Sequence, residues 1–166
     1  MPGLRKRIWE SGWGLVPLRL MIGFGFAAHG WAKLSRGPES FAVILTAIGV
    51  PLPHFTAWLT SLVELIGGLA LMAGAFVVLV TLPLALVLLT AIFTVHLPYG
   101  FSSIRLQAVT PAGAQFGPIG YELNLVYLAG LLTLALGGAG RLSIDSVLAQ
   151  KAKMTERFVG ANQKTL

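Results

Sequence analysis

Four long apolar stretches dominate this chain, at about residues 14–34, 54–74, 76–97 and 121–136. A membrane-spanning helix needs ~20 consecutive, mainly apolar residues, so the chain has room for about four spans. Only 11% of its 166 residues are charged and the mean hydropathy is +0.80, whereas soluble domains carry ~25% charged residues. These values argue against a soluble domain and a disordered chain. They predict an all-α integral membrane protein, a four-helix transmembrane bundle.

The segments between the spans suggest how the bundle is completed. Residues 35–53 contain a short apolar piece, 41–49, which is too short to span and is expected to form a helix at the membrane interface. Residues 98–120 form a long loop rich in Gly, Pro, Ser and Gln, and loops of this length are often functional. We therefore expect a transmembrane domain over 1–146, followed by a basic, amphipathic cytoplasmic tail over 147–166, which suits a membrane surface.

The absence of cysteine limits the available chemistry. With no cysteine in the sequence, the chain has no disulfide, thiol nucleophile, iron–sulfur cluster or Cys-ligated zinc. The isoelectric point of 10.2 does not indicate nucleic-acid binding, because the basic residues flank apolar runs and are not interleaved with aromatic residues in a patch.

The distribution of basic residues predicts the orientation in the membrane. With four spans, both termini lie on one side, and basic residues are enriched on the cytoplasmic side of membrane proteins. The terminal segments carry eight of them, whereas the opposite side carries three, which predicts cytoplasmic termini in a multi-pass protein of the cell membrane. The eight are Arg5, Lys6, Arg7, Arg141, Lys151, Lys153, Arg157 and Lys164, and the three are Lys33, Arg36 and Arg105. Four tryptophans near predicted helix ends suit interfacial anchors: Trp9, Trp13, Trp31 and Trp58.

Ionisable residues in the spans are the candidate functional residues, because charge is costly in a bilayer. Arg19 and Glu64 fall within reach of each other if the first span ends at Leu34 and the second begins at His54 in the same plane. The estimated depth difference is then ~7–8 Å, so an Arg19–Glu64 ion pair is expected. Ser61, Glu64 and Gly68 share one helix face by their spacing. The full set is Arg19, His29, Lys33, Glu64, His96 and Glu122, and all but Arg19 are expected in the outer half of the bilayer.

A histidine and a carboxylate at the mouth of an apolar bundle suit a quinone, whose carbonyls need hydrogen-bond donors and whose reduction needs protons. We assign His29 and His96 as headgroup donors or proton carriers, and Glu64 and Glu122 as proton-relay carboxylates. The remaining ligand-binding candidates are Arg19, Lys33, Tyr99 and Asn124.

Alternatives remain open from the residues alone. The two histidines could also ligate haem iron. Together with Glu64 or Glu122 they could bind a divalent metal, although no HxxxH or ExxH spacing is present. Each residue also has a purely structural alternative. His29 would hydrogen-bond to a neighbouring helix, Lys33 would anchor its helix at the membrane interface, and Glu122 would be favoured by the dipole at a helix start. The competing function is a non-catalytic membrane anchor or assembly protein.

Four sequence runs together resemble the DoxX family of small bacterial and archaeal membrane proteins, over about residues 15–146. The runs are LRLMIGFGFAAHGWAKL, GVPLPHFTAWLTSLVELIGGLAL, TVHLPYGF and GYELNLVYLAGLLTLALGGAGRLSID. The resemblance implies a four-helix bundle and a role beside redox enzymes, since some archaeal relatives are subunits of a thiosulfate:quinone oxidoreductase and others are linked to oxidative-stress complexes. Because the chain carries no cofactor motif, such a role would require a soluble redox partner, a bound quinone or another cofactor, and an oligomer stays open. The family's motif positions correspond to Arg19, His29, Gly30, Lys33, Glu64, Gly67, Gly68, His96, Gly100, Phe101, Glu122 and Asn124.

Overall fold

The computed structural model describes residues 12–163, and side chains as far as residue 156. Arg5, Lys6, Arg7, Trp9 and Lys164 therefore lie outside the described residues, as does the side chain of Arg157. The helices are α1 (Leu15–Ser35), α2 (Pro38–Ala47), α3 (Pro53–Ala73), α4 (Val77–Ala91), α5 (Glu122–Gly137) and α6 (Ile144–Gln163). A π-helical turn (Ile92–His96) and a 3-10 turn (Leu97–Tyr99) extend α4, and two strands follow, β1 (Leu106–Thr110) and β2 (Gly113–Phe116).

The long helices form an up-and-down bundle, so the predicted all-α membrane architecture is confirmed. The chain is 72% helical, and three helices of the described part are long and apolar enough to cross a membrane, at Leu15–Ser35, Pro53–Ala73 and Val77–Tyr99. The fourth, α5, has 16 residues, a length of ~24 Å at 1.5 Å per residue. That is less than the ~30 Å hydrocarbon core, so a complete fourth span stays a prediction.

The bundle has two ends that differ in character. The hairpin end holds the C-terminus of α1, the N-termini of α3 and α5, and the β1–β2 hairpin. The tail end holds the tight α3–α4 turn and the segment that joins α5 to α6. Gly74 makes the α3–α4 turn with φ +67, a left-handed conformation that glycine adopts without strain. Because α6 begins at Ile144, the predicted domain boundary after residue 146 falls inside this helix.

The interface between α1 and α3 is the most extensive helix contact, and small residues make it close. A Cβ atom on Gly68 would collide with the backbone of Ala27 and Gly23, and one on Gly30 would collide with the backbone of Leu65. The two backbones therefore touch directly, as in membrane helix pairs with small residues at the interface. The close approach predicted from the Gly67–Gly68 pair is confirmed at Gly68.

The core lies between all four long helices. Phe26, Leu71, Leu84, Leu131 and Leu134 are buried there, while the outward sides of the helices expose many large apolar residues. In water such a surface would be unfavourable, but in a bilayer it contacts lipid.

The short helix predicted over 41–49 is present as α2, which is 10 residues long. It packs against the start of α3 through Ala42, Leu45 and Ala57. At ~15 Å it is too short to cross a bilayer, and its position beside α3 closes one side of a cavity described below.

The loop after α4 contains an antiparallel hairpin that the sequence analysis missed. Thr110 pairs with Gly113, so two residues form the turn, and Leu106 pairs with Phe116. A short apolar run on each side of a Pro- and Gly-containing turn is a hairpin signal. The strands are largely exposed and lie outside the bundle, so the all-α assignment holds.

The backbone contact at Gly68 generates a stability prediction. Gly68→Leu should lower the free energy of unfolding by ~1–3 kcal/mol or more. The added side chain would overlap backbone atoms, which cannot rotate away as a side chain can. Ala28→Leu is the matched control, since Ala28 is exposed on α1. Thermal melting in detergent measures both. Equal melting temperatures for the two variants would contradict the close α1–α3 contact.

Candidate functional site

A lysine–glutamate ion pair lies inside the bundle near its hairpin end. Lys33 Nζ, from the last turn of α1, lies 2.5 Å from Glu64 Oε2 on α3. The Glu64 side chain is 7% exposed and the Lys33 side chain 23%. One turn before Lys33, Gly30 allows the two helices to touch, which brings the lysine within reach of the carboxylate. The pair neutralises a buried carboxylate that would otherwise be costly in a membrane.

An apolar cavity of about 290 Å³ adjoins this pair, between α2, α3 and α4. Among the described residues that line it, Lys33 alone is charged, and most of the others are aliphatic. The Phe41 ring forms part of the wall and lies with its centre 4.8 Å from Lys33 Nζ, in a cation–π contact. The volume is close to the lower end of the ~300–1,000 Å³ range of small-molecule sites.

Four threonines supply the other polar groups of the cavity. The hydroxyls of Thr56, Thr90 and Thr94 each donate to a backbone carbonyl one turn or so earlier in the chain. Thr60, one turn before Glu64 on α3, is the one whose hydroxyl has no hydrogen bond to another described residue. Together with Lys33, Thr60 therefore offers a free donor toward a ligand in an otherwise apolar site.

The expected Arg19–Glu64 ion pair is wrong. Arg19 is 2% exposed and lies at the tail end of α1, where its guanidinium donates to three backbone carbonyls. The acceptors are Ala139 at 2.5 Å, Leu142 at 2.8 Å and Arg141 at 3.4 Å.

The error came from assuming that the end of α1 and the start of α3 lie at the same plane. Gly30 faces Ser61 and Leu65, so by residue counting α3 extends about 8 Å beyond the end of α1. This offset brings Glu64 to the level of Lys33 and leaves Arg19 well below it.

A second carboxylate, which sequence analysis missed, completes the tail end. Asp145 on α6 accepts hydrogen bonds from the backbone N–H groups of Phe76, at 2.7 Å, and Val77, at 3.0 Å. It thereby caps the N-terminus of α4, where a negative charge is favoured by the helix dipole. A cap provided from 68 residues away leaves no local pattern in the sequence.

His96 and Glu122 lie at the hairpin end, where both contact loop backbone. His96 Nδ1 lies 3.1 Å from the Ile119 carbonyl oxygen, to which it donates when that nitrogen carries the proton. Glu122 Oε2 accepts from the Ser103 N–H at 2.9 Å, and Ser103 Oγ accepts from the Leu123 N–H at 3.2 Å. These contacts fix the long loop to α4 and α5, and they agree with the helix-start reading of Glu122.

The remaining predicted residues are dispersed. His29 is exposed on α1, Tyr99 is exposed after α4, and Asn124 is half-buried on α5. Of the eight predicted site residues, the structure joins Lys33 and Glu64 directly, and neither histidine lines the cavity. Within residues 12–156, no three His, Asp or Glu side chains are grouped closely enough to hold a metal ion.

The fold and the interior ion pair define a small multi-helix membrane protein with a buried charged pair beside an apolar cavity. The DoxX family model matches residues 14–97, which contain α1 to α4, Lys33, Glu64 and the cavity. The chain belongs to the DoxX family.

Three bacterial relatives cover most of the chain. "Putative oxidoreductase CatD" of Bacillus subtilis is 36% identical over 132 residues, which is 80% of this chain and 84% of that protein. "Inner membrane protein YqjF" of Escherichia coli is 31% identical over 138 residues, 83% of this chain and 94% of that protein. "Uncharacterized membrane protein Rv3486" of Mycobacterium tuberculosis is 28% identical over 149 residues, 83% of each chain. No solved structure matches the chain significantly.

The two basic residues of α1, Arg19 and Lys33, generate a double-mutant prediction. Lys33→Met and Glu64→Leu should show a coupling of ~0.5–3 kcal/mol, because each removes the other's partner. Arg19→Met and Glu64→Leu should instead be additive within ~0.3–0.5 kcal/mol, as expected for distant sites. Unfolding free energies of the single and double variants measure both cycles. Coupling in the Arg19 cycle and none in the Lys33 cycle would contradict the observed pairing.

Proposed function

We propose that this protein is a membrane module of quinone-linked redox chemistry, and that a quinone headgroup binds in the cavity between α2, α3 and α4. The observation that carries the proposal is the placement of Lys33, a charged donor, in the wall of an otherwise mainly apolar cavity. A quinone needs both features, apolar surroundings for its ring and tail and hydrogen-bond donors for its carbonyl oxygens.

Lys33 can serve a ligand without leaving Glu64. An ammonium group has three N–H donors, and the contact to Glu64 uses one of them. Another donor can reach a quinone oxygen, where a charge-assisted hydrogen bond stabilises negative charge that develops on reduction. Glu64 holds the ammonium in place, and the Phe41 ring offers a face for stacking.

The redox part of the proposal has independent support from a relative. The B. subtilis relative carries the name "Putative oxidoreductase CatD" and aligns with 80% of this chain. Reduction of a quinone to a quinol takes up two electrons and two protons. Since the chain has no cysteine, no thiol supplies those electrons, and we assign them to a soluble redox protein that docks on this membrane module. The two protons come from water at the membrane surface.

The orientation belongs to the same proposal. The basic residues favour cytoplasmic termini, which puts the tail end at the cytoplasmic surface and the cavity in the outer half of the bilayer. A reporter fused to the C-terminus should therefore show cytoplasmic behaviour, for example alkaline phosphatase inactive and a fluorescent protein bright. The reverse result would place the cavity in the cytoplasmic half.

Quinone binding should appear as a thermal shift that depends on the cavity residues. A soluble quinone analogue should raise the melting temperature of the wild type by mass action. The double variant Lys33→Gln/Glu64→Gln, which keeps an uncharged hydrogen-bonding pair, should lose most of that rise. Loss of a hydrogen bond to a charged group costs ~1.5–3 kcal/mol, a weakening of about 10- to 150-fold.

Three control variants separate this site from the other candidates. Thr60→Val should weaken binding by less than the charge-neutral pair, because its hydroxyl is an uncharged donor. His29→Ala and His96→Ala should keep the wild-type shift, because neither residue lines the cavity. If the analogue stabilises no protein, wild type included, the redox proposal fails and an anchor or assembly role explains the polar residues better.

A further inference from the structure

Helix α6 is attached to the bundle by its first turn. The Asp145 N–H donates to the Gly74 carbonyl at 3.0 Å, and the Asp145 carboxylate accepts from Phe76 and Val77. Beyond this turn, α6 makes few contacts with the other described helices. The attachment point lies where α3 ends and α4 begins, so α6 starts at the tail end of the bundle. The ends of the spanning helices mark the level expected for the membrane surface.

One side of α6 is apolar, exposed and ends in a lysine. Ile144, Val147, Leu148 and Lys151 follow the i, i+3, i+4, i+7 pattern of a single helix stripe. Ile144 is 46%, Val147 52% and Leu148 48% exposed. Lys153 is two residues further on and points about 160° away from Lys151. The stripe thus combines uncovered apolar surface with a cation at its end.

A groove runs between this stripe and the segment joining α5 to α6. It has a volume of about 740 Å³, and its lining includes Arg141, Leu142, Ile144, Val147 and Leu148. Arg141 is exposed, and its guanidinium carbon lies 5.7 Å from the centre of the Trp13 ring. Tryptophan is typical of the membrane–water interface, which agrees with the level assigned to the start of α6.

Buried Arg19 holds this groove in shape. It donates to the carbonyls of Ala139, Arg141 and Leu142, so the backbone oxygens of the segment face inward while the Arg141 and Leu142 side chains remain exposed. Asp145 is the one carboxylate on residues 144–154, and it is occupied by two N–H groups. The groove therefore presents positive charge beside apolar surface.

We propose that this groove binds an anionic phospholipid, with the phosphate at Arg141 and an acyl chain along Ile144, Val147 and Leu148. Lys151, at the far end of the stripe, adds positive charge that attracts the same anionic lipid. The chemistry of the groove favours a lipid over an acidic protein, because exposed aliphatic side chains adjoin each cation at membrane level. An amphipathic basic helix in this position binds by buried apolar area together with attraction to anionic lipid. The proposal is independent of quinone binding, which concerns the opposite end of the bundle.

Native mass spectrometry of the purified full chain tests the assignment. The protein is held in micelles with equal amounts of phosphatidylglycerol and phosphatidylcholine, and the lipid retained by each variant is measured. The wild type should retain phosphatidylglycerol preferentially. Arg141→Gln and Lys151→Gln should each weaken that retention about fivefold, the ratio that ~1 kcal/mol per basic residue near an anionic surface corresponds to.

Lys153→Gln is the matched control, because it removes the same charge from the opposite side of α6 and should retain the wild-type preference. An excess of inorganic phosphate should not displace the lipid, since phosphate cannot use the apolar stripe. Equal retention of the two lipids by the wild type overturns the proposal. So does an equal loss in Lys153→Gln and Lys151→Gln, or displacement by phosphate alone.

Discussion

The direct backbone contact between α1 and α3 determines where every other functional group lies. In a bilayer, apolar side chains gain little by associating with each other, so helix pairs depend on close packing. Gly23, Gly30 and Gly68 provide that packing and fix the offset between the two helices. The offset, in turn, sets Lys33 opposite Glu64 and separates both from Arg19. A change in this contact would therefore alter the ion pair as well as the stability.

The two basic residues of α1, buried Arg19 and half-buried Lys33, are accommodated in different ways at the two ends of the bundle. Lys33, with a compact ammonium group, takes a single carboxylate and keeps donors free. Arg19 donates from its two terminal guanidinium nitrogens to three carbonyls beyond the end of α5, where the helix dipole favours positive charge. At the hairpin end, Lys33 therefore has N–H donors left over, whereas at the tail end Arg19 holds the segment that joins α5 to α6.

The sequence predicted the features that arise from local composition. The apolar runs located the long helices within a few residues, and the short run over 41–49 located α2, because burial in lipid depends on each segment by itself. The Arg19–Glu64 pairing failed, because the offset between two helices depends on which glycine meets which backbone. The Asp145 cap and the wall contributed by Phe41 were missed for the same reason: both join residues distant in sequence.

The central claim is that the cavity beside Lys33 and Glu64 holds a quinone headgroup, and photolabelling tests it most directly. A quinone analogue with a photoreactive azide on the ring is irradiated with the purified protein, and the labelled peptides are mapped by mass spectrometry. The account predicts label on residues of α2, α3 and α4 that line the cavity, competed by unlabelled quinone and reduced in Lys33→Gln/Glu64→Gln. Competed label confined to α5, or to the surroundings of His29, would contradict it.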